Sequence, residues 1–159
     1  MLGGRHPRAS IEVHDVVFAL GEHLPDTFEQ LRGAWFGSPK GLHVDAWMAV
    51  DGVDDYRVEL SHAAPAEGAP RLFFVNLGGY EAQTFGEAHR YLLVVAADRE
   101  QAKARSRSHR VAHWDKPHTD ALLEVDDCIP IDCVEGRYLH LVKAEHRGIS
   151  VHSDYIILS

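Results

Sequence analysis

Leu72-Phe73-Phe74-Val75-Asn76-Leu77-Gly78-Gly79 is a short apolar run closed by a glycine pair, and the same ending stands at Leu2-Gly3-Gly4. A run of this length bounded by glycines reads as a buried strand. Three further echoes surround it. Glu12-x-His14 returns as Glu87-x-His89, His43-x-Asp45-Ala46 as His118-x-Asp120-Ala121, and Val50-Asp51 as Val125-Asp126. One offset of 75 residues relates them all (78 − 3, 87 − 12, 118 − 43, 126 − 51). Spacing kept without a gap implies two half-length units of common descent. Residues still shared after drift mark where the physics of the unit is strict.

The pattern predicts an α+β fold. It consists of two tandem ββαββ-like repeats with pseudo-twofold symmetry, mostly antiparallel sheet, and one helix per repeat against a sheet face. Repeat 1 covers 1–61 and repeat 2 covers 71–142, with a Pro- and Ala-rich linker over 62–70 and a C-terminal strand over 150–159. The whole, 1–159, is expected to be a single globular domain. Only Met1-Leu2 remains of the first strand in repeat 1, so that strand should be short or missing. Val16-Val17-Phe18-Ala19-Leu20 and Tyr91-Leu92-Leu93-Val94-Val95 read as matching second strands. Leu24, Phe28, Leu31 and Trp35 form one apolar stripe on a first helix, entered at Pro25-Asp26 and stopped by Gly37-Ser38-Pro39. Asp98 reads as the N-cap of the second helix, whose stripe is thin: Ala102, Ser106, then His109 or Val111.

Residues 43–50 and 56–60 are then expected to pair around the Asp- and Gly-rich turn Asp51-Gly52-Val53-Asp54-Asp55. In repeat 2 the matching pair is 122–125 with 137–141, with six extra residues in the connection between them. Tyr155-Ile156-Ile157-Leu158 is either a buried last strand or an exposed edge that supports a homodimer.

A net charge of −8 argues against general nucleic-acid binding, since phosphate contacts need a basic surface. Lys103, Arg105, Arg107 and Arg110 read as the wet face of a helix, with an anion site as the minor alternative. No apolar run approaches the ~20 residues that cross a bilayer. The chain enters the repeat at once, so no signal peptide and a cytoplasmic location are expected. Cys128 and Cys133 are expected to be free, largely buried thiols. The 12 histidines are scattered along the chain and form no tract.

In extended chain, residues i and i+2 share a face. Glu12 can therefore meet His14, and His43 can meet Asp45; Glu87 can meet His89, and His118 can meet Asp120. These eight are the candidate binding residues. Carboxylates beside imidazoles suit a borderline divalent ion, with His14, His43, Asp45, His89, His118 and Asp120 as candidate ligands. They suit general acid/base chemistry equally well. A third reading is purely structural: each pair ties a loop to a strand, and a buried hydrogen bond worth about 0.5–1.5 kcal/mol explains its retention. The tie is favoured for at least one unit. No GxSxG elbow, HExxH, GxGxxG or P-loop pattern is present. A Cys128–His118 nucleophile pair has no support beyond composition.

Leu2-Gly-Gly-Arg-His-Pro7, Ile11-Glu-Val-His-Asp15, Gln30-Leu-Arg-Gly-Ala-Trp-Phe-Gly37, Gly41-Leu-His-Val-Asp45, Leu72-Phe-Phe-Val-Asn-Leu-Gly-Gly-Tyr80 and Glu124-Val-Asp-Asp-Cys-Ile-Pro130 together resemble the bacterial domain-of-unknown-function family 1543. The resemblance covers nearly the whole chain. It implies a cytosolic bacterial protein, often with two copies of the motif, and it implies no activity. Two functions remain. One is a small binding module with a polar Glu/His/Asp cleft for a small molecule or protein, without nucleic-acid or membrane partners. The other is a small acid/base or metal-assisted hydrolase or isomerase using the same groups. No cofactor is expected, a divalent metal being the one exception left open.

Overall fold

Nine consecutive residues of extended chain, Arg71–Gly79, organise the larger part of the fold, because both faces of that strand are buried. The computed structural model describes residues 1–80, 83, 85–108 and 124–159. In chain order the strands begin with β1 (Leu2–Gly4), β2 (Val13–Asp15), β3 (His43–Val44), β4 (Trp47–Val50), β5 (Gly52–Val53), β6 (Tyr56–Ser61) and β7 (Arg71–Gly79). They continue with β8 (Ala88–Ala96), β9 (Glu124–Pro130), β10 (Cys133–Val134), β11 (Arg137–Lys143), β12 (Ile149–His152) and β13 (Ile156–Ile157). Helix α1 (Phe28–Ala34) follows a 3-10 turn at Leu24–Thr27, and α2 (Arg99–Arg107) follows β8. Among the described residues every strand pair is antiparallel and there are two α-helices, so the fold is α+β with antiparallel sheets. Among the described residues no helix is long and apolar enough to cross a membrane.

The chain divides into two compact units. Unit one is Met1–Val50 with Ile149–Ser159, and unit two is Asp51–Gly148. Unit one holds a sheet of order β13-β3-β1-β2 and the pair β12-β4. Its core is Leu2, Leu31, Trp35, Leu42, Val44 and Leu158, with Phe28 packed against it half-buried. The first-helix stripe is thus present, although Leu24 lies in the 3-10 turn and α1 closes at Ala34, before Gly37. Trp35 lies against Gly4, where a Cβ would stand 2.9 Å from its ring, and its indole N–H donates to the Ser38 carbonyl at 3.0 Å.

The second strand of unit one is shorter and earlier than its sequence suggests. It is β2, Val13–Asp15, and residues 16–20 are not a strand. The cause is the partner's length: β1 offers three residues, pairing Leu2 with Asp15 and Gly4 with Val13. Beyond them the Gln30 side chain substitutes for a neighbouring strand. Its amide donates to the Leu20 carbonyl at 2.7 Å and accepts from the Leu20 N–H at 2.9 Å. In unit two, β7 is long enough for β8 to run its full nine residues.

Unit two contains the sheets β8-β7-β9 and β10-β11-β6-β5. Phe73, Val75 and Leu77 of β7 pack with Val94, Ala96, Cys128 and the Ala102 face of α2. Leu72 and Phe74, on the other face, are buried as well, so the run is continuously apolar instead of alternating. Asp98 caps α2 by accepting from the Gln101 N–H at 2.8 Å. The α2 contact is built from small residues: Ala102 and Ser106 are fully buried, and the Ser106 hydroxyl donates back to the Ala102 carbonyl. Arg105 turns from the wet face to bind the Val95 carbonyl and Asp54. His109, Arg110 and Val111 lie outside the described residues.

Two expected pairings are corrected. Strand β6 pairs with β11 and not with residues 43–50; β4 pairs with β12. The hairpin is tighter than expected, β5 to β6 through Asp54-Asp55, with Asp54 at φ +54°. In the same way β9 pairs with β7 and not with β11, whose hairpin partner is β10 through Glu135-Gly136. Asp51, freed from a hairpin turn, holds Arg147 by backbone and side chain, and these bonds draw its carboxyl below the ordinary value.

Both cysteines are free, but only Cys128 is buried; Cys133 is exposed, because it sits on a two-residue strand at the sheet edge. Burial pushes the Cys128 thiol up, which keeps it protonated and unreactive at neutral pH. Brief iodoacetamide treatment of the native chain should therefore alkylate Cys133 and spare Cys128, read by peptide mass spectrometry. Equal modification of the two would contradict this burial.

Candidate polar site

The first glycine of each Leu-Gly-Gly motif is the floor of the site. In unit one Gly3 lies between His14 on β2 and His43 on β3, each directly opposite it across the sheet. Leu2 and Val44 face the core, so by strand alternation Gly3 and His43 present the other face. With no side chain at Gly3, the space above its Cα is filled by the groups of its neighbours. A Cβ there would run into Asp45 Oδ2 and stand 2.5 Å from His43 Nε2.

Four predicted residues, Glu12, His14, His43 and Asp45, meet in this space. His14 Nε2 lies 3.4 Å from Glu12 Oε1 and 3.4 Å from Asp45 Oδ2. His43 Nε2 lies 3.2 Å from Asp45 Oδ1 and 3.5 Å from Glu12 Oε1. Burial within the cluster is unequal. His43 is 2% exposed, under the Tyr155 ring at a centroid distance of 4.4 Å, whereas Glu12 and His14 are half-exposed. His43 Nδ1 lies 2.8 Å from the Gly41 carbonyl. A carbonyl only accepts, so Nδ1 carries the proton and, in the neutral ring, Nε2 bears a lone pair. That Nε2 and Asp45 Oδ2 are both buried without a hydrogen-bond partner.

Unit two assembles a related cluster with a different third member. Gly78 lies opposite His89 on β8 and Glu124 on β9. His89 Nε2 is 3.7 Å from Glu87 Oε2 and 3.4 Å from Asp126 Oδ2. A Cβ on Gly78 would collide with Asp126 Oδ2 and stand 2.5 Å from Glu87 Oε1. All three side chains are about one-third exposed. His118 and Asp120 lie outside the described residues.

Asp126 is the member that sequence reasoning missed. The 75-residue offset aligns it with Asp51, yet by strand register Glu124-Val125-Asp126 stands where His43-Val44-Asp45 stands in unit one. That offset is 81 (126 − 45), and the following hairpins share it (133 − 52, 137 − 56). The six extra residues therefore fall before β9 and not after it. The available signal was Val125-Asp126 itself, which repeats Val44-Asp45 as well as Val50-Asp51.

Residues 9–60 match the model of a family described as Domain of Unknown Function (DUF1543). The chain is similar along nearly its whole length to the crystal structure of a protein Il1583 from Idiomarina loihiensis. The two are 30% identical, with 99% of this chain and 94% of that one covered, at a TM-score of 0.72. No curated protein matches the chain.

Proposed function

The chain belongs to the DUF1543 family, and on that premise we propose that it is a small binding module, built as a tandem repeat, whose ligand sits at the Glu12, His14, His43 and Asp45 cluster. One observation carries the reading: a 2%-exposed imidazole whose free Nε2 is aimed at two carboxylates. A structural tie would place an N–H there, aligned on one acceptor at about 2.7–3.2 Å; the nearest acceptor, Asp45 Oδ1 at 3.2 Å, makes no hydrogen bond with it. With the ring neutral, electron-pair donors face one another, an arrangement that a positive charge or a hydrogen-bond donor relieves. The ligand is therefore a small cation, or the cationic side chain of a protein partner. The half-exposed Glu12 and His14 leave the approach open.

Support for the repeat comes from three places. Strands β2-β1-β3 and β8-β7-β9 share their order, with a helix between second and third strand in each unit. The glycine floor recurs at Gly3 and Gly78. In the β6–β11 ladder Leu139 faces Leu60 and Leu141 faces Val58, as a local twofold at the 81-residue offset requires. Glu87, His89 and Asp126 are then the counterpart of this cluster in the second repeat, without its buried imidazole.

The test is a melting-temperature screen of the full chain against small amines, guanidinium compounds and divalent chlorides. At least one should raise the Tm of the wild type and not that of Glu12→Gln, a change at a half-exposed position that leaves the fold intact. A panel in which no compound separates the two proteins would overturn the binding reading.

A further inference from the structure

The geometry points to a specific ligand: a first-row divalent transition ion held by Glu12, His43 and Asp45, with His14 beside them as the source of a fourth donor. This inference rests on the binding reading above and narrows it. A tetrahedral ion with bonds of about 2.0–2.1 Å separates its donor atoms by about 3.3 Å. The four imidazole–carboxylate separations in unit one are 3.2, 3.4, 3.4 and 3.5 Å. Three of the four exceed the usual hydrogen-bond range, and Glu12, His43 and Asp45 each place one donor atom within 4.8 Å of the other two, close enough to share a central ion, while His14 faces Glu12 and the second Asp45 oxygen beside them.

The tautomer agrees. A metal-binding histidine characteristically donates its other ring N–H to a carbonyl or carboxylate, which fixes the ring and turns the lone pair inward. Gly41 performs that role for His43, at 2.8 Å. The unpartnered Asp45 Oδ2 is a second donor atom already desolvated. Gly3 keeps the space above its Cα open for the ligands and the ion. Two imidazoles and two carboxylates are a borderline donor set, suited to zinc, manganese or iron(II), whereas calcium and magnesium prefer oxygen alone. Tyr155 closes one side over His43, and the half-exposed edges of Glu12 and His14 form the entry path.

Unit two is the internal comparison. Glu87, His89 and Asp126 also gather, but each is about one-third exposed, and none of their side-chain atoms is buried without a partner. The buried imidazole is thus what distinguishes the site of unit one.

The experiment is calorimetric titration of the chelator-treated full chain with zinc chloride and with manganese chloride. It is repeated on His43→Ala, Glu12→Gln, Asp45→Asn and the unit-two control Asp126→Asn. One saturable ion per chain is expected, weakened at least about 10–100-fold by each unit-one change and unchanged by Asp126→Asn. Glu12→Gln keeps the test valid if His43→Ala fails to fold. Absence of saturable binding, or binding indifferent to Glu12→Gln and Asp45→Asn, overturns the metal assignment. If amines or guanidinium compounds still separate wild type from Glu12→Gln in the melting screen, the binding reading survives that outcome; if nothing does, both fall.

Discussion

Trp35→Ala should destabilise unit one by about 3–5 kcal/mol, the loss ordinarily seen when a buried large aromatic is truncated. Trp35 closes the core made by Leu2, Leu31, Leu42, Val44 and Leu158, and it is 9% exposed. Gly4 and Gly37 both approach the ring so closely that neither has room for a Cβ, and the backbone beneath is tied into β1. The Ser38 carbonyl would also lose the indole N–H. Urea denaturation followed by far-ultraviolet circular dichroism gives the change. A midpoint shift worth less than about 1 kcal/mol would show that this ring is not the keystone of unit one.

Gly3→Ala is the second large effect. Its Cβ would overlap Asp45 Oδ2, which can swing aside, and would stand 2.5 Å from His43 Nε2, which cannot. His43 is boxed between the Gly41 carbonyl and the Tyr155 ring. Overpacking of this kind costs about 1–3 kcal/mol. It should also remove saturable zinc binding, because the imidazole must leave its place. Gly33→Ala is the contrast. Gly33 lies inside α1 with nothing within 4 Å of a built Cβ, so the change should stabilise by about 0.5–1 kcal/mol. If both changes act alike in urea denaturation, the account of Gly3 as the floor of the site is wrong.

These two positions show what the sequence made legible. The Leu-Gly-Gly echo marked the right residues, but from sequence the glycines read only as the end of a buried strand. Only the cross-strand register reveals that Gly3 sits between two histidines. The i, i+2 rule brought Glu12 to His14 and His43 to Asp45 because it depends on local chain geometry alone. Pairing between distant segments was harder to read. A gap of six residues can be placed on either side of a short strand with nearly equal sequence agreement, and hydrogen bonding to β7 decides it. The length of residues 16–20 as a strand was illegible for a related reason. Val16-Val17-Phe18-Ala19-Leu20 has the composition of a strand, but a strand also needs a partner, and β1 ends too soon.

Unit one is assembled from segments made far apart in time. Val44 pairs with Leu2 on one side and with Ile156 on the other, and Leu158, 2% exposed, completes the core while its carbonyl accepts from Arg32. About a hundred residues separate β4 from β12 (149 − 50), so at the usual elongation rate of ~5–20 residues per second the ribosome spends roughly 5–20 seconds between them. Once it clears the exit tunnel, the nascent first segment presents an unpaired β3 edge and an uncovered apolar face until β12 and β13 are made. Unit two can close first, and the segment synthesised before it is among the last to reach its final packing.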